Sequence, residues 1–485
     1  MILLGFILFF LVLFYFYSNR KIYFLSWKLS GPPALPIIGN GLTFFCKDSE
    51  LLDRSTEICR KYPSPFRLWF GPKFSMVISE VEQAQKIMSS YNFTTKDRDV
   101  YRFVEEFNGK GLITASGLKW KTDRRLISPK LARRNILQYF QPILDQTKLL
   151  TKILSKQLNQ PTFDIGHYIH KCSVDIVNAT ILGVTTRAQF GELDELCNIV
   201  KRLYIIVHAR IVKVWLQNDM LFQLSPYWKE HEHGKKVFYE FIDQVIDNKS
   251  INTRLYVPII DQLREMSDEK TGFCNRNDLR DHLTTLFAAS EDTVSSIASF
   301  TLVLLGMYPE IQEKIVREIY EIVGDEKHEI KESHLEKFVY FDMVIKEVMR
   351  LFPIASFIVR KSEREFDLEG YLIPEKCSVI ISIFNIHRDK RYWEKPDEFY
   401  PEHFLPEATK TRHPYAYMPF SAGPRSCIGK PFAVMALKII LVTILQNFEM
   451  KSIGKLEDIK LKTDISVRPK DECFPVQIRK RQFFG

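Results

Sequence analysis

Residues 420–429 read Phe420-Ser421-Ala422-Gly423-Pro424-Arg425-Ser426-Cys427-Ile428-Gly429, and an apolar run from Pro431 to Leu445 follows at once. One cysteine sits here among small and turn-forming residues, just ahead of a stretch with the composition of a buried helix. That arrangement suits a thiolate held at a helix start, where backbone N–H groups stabilise negative charge on sulfur. Gly423 and Gly429 let the main chain turn tightly and approach a flat ligand, and Arg425 offers a cation to an acidic group. The plainer alternative is a structural thiol buried between two glycines, because free cysteine packs as a small hydrophobe.

At 485 residues the chain is long enough for one large domain with a sizeable core. Hydrophobic residues at 46% and charged residues at 26% place it among globular proteins rather than disordered ones. The net charge of +9 suits an anionic partner or a membrane surface, and equally an ordinary solvated basic face. No Lys/Arg block interleaved with aromatics occurs, so nucleic acid is not an expected partner. Cys46, Cys59, Cys172, Cys197, Cys274, Cys377, Cys427 and Cys473 are scattered without a CxxC pair. This predicts neither a zinc site nor a disulfide framework, and points to a reducing compartment. With no GxGxxG and no Walker loop, no nucleotide-binding domain is expected, and electrons for any redox chemistry must come from another protein.

Met1 to Tyr17 is an almost unbroken apolar run that ends at Ser18-Asn19-Arg20-Lys21. A membrane span needs about 20 apolar residues, so the run is at the short end. It lacks the basic start and small-residue cleavage site of a secretory signal, and it is not the Arg- and Ser-rich presequence of a mitochondrial protein. A buried N-terminal helix is the remaining alternative. The reading adopted is an uncleaved anchor over residues 1–19, with the following positive charges placing the rest of the chain in the cytoplasm. Tyr23, Phe24 and Trp27 are then expected at headgroup level, and Gly31-Pro32-Pro33-Ala34-Leu35-Pro36 forms a stiff connector, giving a linker over 20–40 and a main domain over 41–485.

Phe66 to Ser79 reads as a strand pair around Gly71-Pro72. Trp120 and Arg124 fall on one helix face, as a surface cation–π pair would. From Phe190 to Asn248 the pattern is weakly helical, and Ile211 to Trp228 is unusually apolar. Leu279 to Met307 is the longest helical stretch, with Phe287-Ala288-Ala289-Ser290-Glu291-Asp292-Thr293-Val294 at its middle. A threonine there can simply bond back to a carbonyl one turn earlier. Glu347 and Arg350 lie three apart on another helix, where an exposed ion pair is worth well under ~1 kcal/mol. A turn-rich meander runs from His387 through Trp393 to His403-Phe404, and Leu461 to Lys480 reads as strands turning near Pro469-Lys470-Asp471.

The cysteine loop matches FxxGxRxCxG and so resembles the haem-binding signature of the cytochromes P-450. Trp120-x-x-x-Arg124, Glu347-x-x-Arg350 and the His387–Phe404 meander occur in the order found in that family. His413 to Phe420 is similar to the family-4 clan of animal microsomal enzymes, insect members among them. The resemblance implies a mainly α fold with a smaller β region, preceded by one transmembrane helix. It implies haem b, held without a covalent bond, with Cys427 as axial thiolate and Phe420, Gly423, Arg425 and Gly429 shaping its loop. Trp120, Arg124 and Arg360 are assigned to the haem propionates, and Asp292 and Thr293 to handling protons at the oxygen site. Glu347 and Arg350 become a buried pair, with His403 where the family usually carries an arginine. Ser290 and Val294 also depart from the family's AGxDTT pattern, and the glutamate that esterifies a haem methyl in many family-4 enzymes is replaced by Ala289.

The implied activity is a monooxygenase that inserts one oxygen atom from dioxygen into an apolar small molecule: a fatty acid, hormone-like lipid, steroid or xenobiotic. NADPH–cytochrome P-450 reductase is the expected electron donor, with cytochrome b5 as a second. The implied location is the endoplasmic reticulum membrane, single-pass, with the catalytic domain on the cytoplasmic side, as in microsomes. Two other classes remain: a reductase-independent haem-thiolate isomerase or dehydratase, and a non-catalytic haem- or ligand-binding protein, the latter suggested by the departures at Ser290, Val294 and His403.

Overall fold

The helical stretch expected from Leu279 becomes a 32-residue helix, Arg276–Met307, in the computed structural model, which describes residues 14–35, 38–248, 255–266 and 275–482. Asn275 caps its start by accepting from the N–H groups of Asn277 and Asp278, which satisfies donors that have no partner inside the helix. Leu283, Phe287, Val294, Ala298, Phe300 and Leu304 are all buried, so the helix is covered on most sides. It ends at Pro309, where the chain turns through 113° into the helix Pro309–Ile322.

The apolar run after Cys427 forms the helix Lys430–Asn447, with Gly429 as its cap residue and Pro431 in its first turn. It packs between the central helix and Phe140–Leu154. By length and composition it could cross a membrane, yet 72% of the relevant window is buried inside the protein, as expected of a core helix. The helix Tyr340–Leu351 joins this core through Phe352, whose ring stacks on Phe300 at 4.0 Å. The fold is therefore mainly helical.

The smaller β region begins with a four-stranded sheet in the order Phe66–Phe70, Lys73–Ile78, Ser378–Ser382 and Phe357–Lys361. The first pair is the expected hairpin, with Trp69 opposite Phe74. The second contact is parallel, with Ile78 opposite Ile381, and the last is antiparallel, with Arg360 opposite Val379. Phe163–Asp164, Pro475–Lys480 and Phe448–Lys451 form a second sheet. The C-terminal hairpin pairs Leu461–Thr463 with Val467–Pro469, so its tip is Asp464-Ile465-Ser466. The expected turn near Pro469-Lys470-Asp471 is a further bend beyond that hairpin. Cross-strand register, which the local Pro and Asp signals do not report, set the tip earlier.

The anchor expectation for residues 1–13 lies outside the described residues; residues 14–18 are helical, and a helix Arg20–Trp27 follows. Tyr23 does not point outward as expected but stacks on Trp69 at 4.9 Å, while Phe24 and Trp27 are exposed. The proline segment is docked rather than free. Buried Asn40 donates to Pro32 O at 3.2 Å and Pro33 O at 2.8 Å, and accepts from Trp69 N–H at 2.8 Å.

Candidate haem-thiolate site

Cys427 opens onto a cavity of about 670 Å³, lined mainly by apolar side chains. The loop places it there by a set of backbone constraints. Gly423 has φ +68° and its absent Cβ would stand 1.9 Å from Met88 O, so no larger residue fits. Cys427 N–H donates to Phe420 O at 2.9 Å, closing the loop on itself. Burial pushes the Cys427 thiol up, while N–H groups of Gly429 and Lys430 and the charge of Arg124 pull the other way. The expectation of a sulfur at the head of a buried helix is met three residues before Lys430.

The candidate cations gather at the cysteine side of this cavity, by different means. Arg124 donates to Ser426 O at 2.6 Å, which ties its helix, Gly117–Ile127, to the cysteine loop. Arg425 spends its guanidinium on three main-chain carbonyls, Thr94, Leu112 and Ala115, at 2.7, 3.2 and 2.6 Å. Its planar group also lies 3.9 Å over the Trp120 ring, so the cation on Trp120 is Arg425 and not Arg124. Arg360 is almost wholly buried and reaches Ser421 Oγ at 3.5 Å. Lys96 is a member that sequence reasoning missed: it lines the same cavity with its Nζ over the Tyr101 ring at 4.0 Å. A lone lysine in a polar stretch carries no signal that could have found it.

Among the described residues, none of Lys96, Arg124, Arg360 and Arg425 forms an ion pair with a carboxylate. Burial lowers the pKa of all four, with mutual repulsion adding to it for Lys96 and Arg425, and the latter falls to about 9. A buried cation without a counter-ion, as Arg360 is, is costly, so the site favours an anionic ligand. A flat, two-propionate macrocycle with a metal over sulfur fits this donor set.

Another part of the cavity wall is the middle of the central helix. Ala288, Ala289, Ser290, Asp292 and Thr293 line the cavity, and Glu291 does not. Thr293 Oγ1 donates to Ala289 O at 2.9 Å, the back-bond considered from sequence, while still facing the cavity. Asp292 is held from the C-terminal hairpin: Ser466 Oγ donates to it at 2.6 Å and Arg468 at 3.1 Å. Burial opposes the Arg468 charge, but Asp292, Asp464, Glu472 and Glu291 together raise its pKa. Both hairpin residues escaped the sequence reading, since they lie more than 170 positions from their partner.

Glu347 and Arg350 are fully buried, unlike an exposed helix pair. Arg350 makes a two-pronged contact at 2.8 and 2.7 Å and donates to the carbonyls of His387, Pro396 and Glu398. His403 keeps a place in this group: its Nδ1 meets both Glu347 oxygens at 3.2 Å, and its Nε2 accepts from Lys395 N–H at 3.4 Å. Burial would raise the Glu347 carboxyl, but Arg350 and His403 more than offset it and hold it below the usual range.

Comparison with known proteins agrees with this geometry. A family model described as Cytochrome P450 matches residues 29–474. Cytochrome P450 4c3 of Drosophila melanogaster is 30% identical over 97% of this chain and 92% of its own length. Cytochrome P450 4V2 of Mus musculus is 31% identical over 92% and 89%, and cytochrome P450 4c21 of Blattella germanica 30% identical over 96% and 95%. The chain belongs to the cytochrome P450 family, with family-4 relatives, and is a monooxygenase of the kind that binds haem b non-covalently through a cysteine thiolate.

Proposed function

We propose that the protein is a membrane-anchored monooxygenase that inserts one oxygen atom into an apolar small molecule, with electrons from NADPH–cytochrome P-450 reductase and cytochrome b5 as a second donor. One observation carries the reading. Cys427 lines one largely apolar cavity together with the Ala288–Thr293 turn and with Lys96, Arg124, Arg360 and Arg425, which among the described residues have no carboxylate partners. The bound haem supplies the activation of dioxygen. Cys427 would hold its iron, with Phe420, Gly423 and Gly429 fixing the loop. Arg124, Arg360 and Lys96 would face the propionates, while Trp120 and Arg425 hold one another and the loop beneath. Thr293 would hold a proton at its Oγ1, and Asp292, released from Arg468, would carry protons from Ser466. Glu347, Arg350 and His403 lock the meander that supports the loop.

The pocket's mainly apolar lining supports a fatty acid, hormone-like lipid, steroid or xenobiotic as substrate. Residues 1–19 are the proposed endoplasmic-reticulum anchor, 20–40 the linker and 41–485 the catalytic domain on the cytoplasmic side. Exposed Phe24, Trp27, Trp215, Met220 and Leu224 support further contact with lipid. The test is a panel of lipids, steroids and xenobiotics screened for Soret shifts, followed by turnover with reductase. Product that depends on dioxygen and NADPH is expected. Turnover without reductase would replace the reading by an isomerase or dehydratase, and haem binding without oxygen-dependent NADPH use by a non-catalytic binder.

A further inference from the structure

Glu291 sits on the oxygen-site turn but faces away from the cavity, 3% exposed, into a cluster that the activity described above does not use. A carboxylate buried in this way costs several kcal/mol unless partners satisfy it. It has two, from two different helices. His170, on Ile165–Val177, meets one oxygen through Nε2. Tyr204, on Asp194–Val212, lies with its hydroxyl 3.1 Å from the other oxygen. The same hydroxyl is 3.0 Å from Ala288 O, and the tyrosine also lines the cavity. Ala288 O precedes Ala289 O, the acceptor of Thr293 Oγ1. Two successive carbonyls of one turn therefore meet a side-chain hydroxyl, which tilts carbonyls off the helix axis and sets local curvature.

We propose that Glu291 and Tyr204 are positioning residues for the Ala288–Thr293 turn, fixing where Asp292 and Thr293 stand above the haem, and that His170 sets the strength of this hold. This rests on the reading that the turn faces the oxygen site. The groups facing the pair are Asp292 and Arg468 on one flank, Cys197, Asp194 and Lys171 on another, the imidazole of His167 one turn before His170, and Tyr204 itself. Burial opposes the His170 charge, but Glu291 outweighs it, and the imidazole pKa is raised above its ordinary value. His170 is thus charged beside Glu291 below that raised value and becomes a neutral imidazole as pH rises through it. Glu291 should then keep Tyr204 and a neutral imidazole as partners, which changes its competition with Ala288 O for the Tyr204 hydroxyl.

The experiment uses the full holoprotein, reduced and saturated with carbon monoxide, and reads the C–O stretching band in the infrared across pH, with no substrate needed. Tyr204→Phe removes one oxygen atom and leaves the ring, so the fold and haem content should survive. Its band is expected to shift or broaden relative to wild type. His170→Gln should abolish a pH-dependent change present in wild type, and Glu291→Gln should do the same while keeping hydrogen-bonding capacity. Hydrogen–deuterium exchange of the peptide holding residues 288–293 should rise about tenfold in Tyr204→Phe, with that of 302–307 unchanged. A merely structural role would move neither the band nor its pH profile. Should Tyr204→Phe unfold, Glu291→Gln carries the test alone. If Thr293→Ala moves the band but Tyr204→Phe and Glu291→Gln do not, the positioning inference is overturned alone. If none of the three moves it, the reading of the turn as the oxygen site fails with it.

Discussion

Substituting His403→Arg would give the family's usual residue back to the buried triad, and the structure predicts that it destabilises the protein. Glu347 already accepts from Arg350 twice, from Tyr400 N–H at 3.0 Å and from His403. The space an arginine would need is taken by Arg412, whose guanidinium lies 3.9 Å over the Trp393 ring and donates to Tyr392 O at 3.2 Å and to His403 O. Arg388 is buried nearby against Phe384. Burial first, then the charge of Arg350, depresses Arg388 to about 9. Arg412 falls to about 10 mainly through burial, with Glu347 opposing the drop. One more guanidinium at a position 4% exposed adds overpacking of about 1–3 kcal/mol. Its charge shares a single carboxylate with several cations and adds a penalty of about 1–3 kcal/mol. The total is about 2–6 kcal/mol, and 3 kcal/mol raises the unfolded fraction roughly a hundredfold. His403→Ala keeps the Arg350–Glu347 fork and should cost less, about 1.5–3 kcal/mol for a bond to a charged acceptor. The assay is loss of the thiolate-type carbon monoxide spectrum along a urea series. Adding Arg412→Gln to His403→Arg should recover half of the loss or more, since the two side chains compete for one space. Stability of His403→Arg equal to or above wild type would refute the reasoning.

Cys427→Ser should abolish the thiolate-type carbon monoxide spectrum, because a neutral hydroxyl cannot replace the sulfur that faces the cavity; survival of that spectrum would remove Cys427 from the role. Thr293→Ala should retain haem and carbon monoxide binding while diverting NADPH to hydrogen peroxide by severalfold, measured as product per NADPH. Equal coupling in wild type and variant, with Ser290 also changed to Ala, would show the hydroxyl to be only a helix back-bond. Denaturing mass spectrometry after turnover should release all the haem, since Glu291 is bonded to His170 and Tyr204 away from the cavity and Ala289 has no carboxylate. A fraction heavier by one haem would mean that Glu291 reaches the ring.

The parts of the site that the sequence made legible are contiguous. The cysteine loop carries its own turn residues and its own helix start, so Gly423 and Gly429 could be read where they stand. Glu347 and Arg350 share one helix, and spacing alone placed them on one face. What spacing could not tell was depth: the same pair is weak when exposed and costly to break when buried, and burial depends on Trp393, His387 and the meander folding over it. Arg425 shows a related limit. A cation beside a haem-binding cysteine suggests an anionic partner, yet its donors go to Thr94, Leu112 and Ala115, carbonyls more than 300 positions away. Lys96, Arg468, His170 and Tyr204 were invisible for the same reason. Each acquires a role only through a partner brought in by tertiary packing.

Those distant partners divide the labour around one helical turn. Asp292 and Glu291 are neighbours in sequence, about 100° apart around the helix, so they cannot serve the same face. The hairpin tip takes Asp292 through Ser466 and Arg468, and two helices take Glu291 through Tyr204 and His170. On the proposed reading, Asp292 carries a proton only once it is released from the Arg468 guanidinium. Ser466 both donates to Asp292 and lines the cavity, while Arg468 holds the same carboxylate. A turn in which one acid must move is served best when its neighbour does not. On the proposed reading the Glu291 cluster supplies that fixed side, and the hairpin, whose tip lines the cavity, holds the acid that must be released.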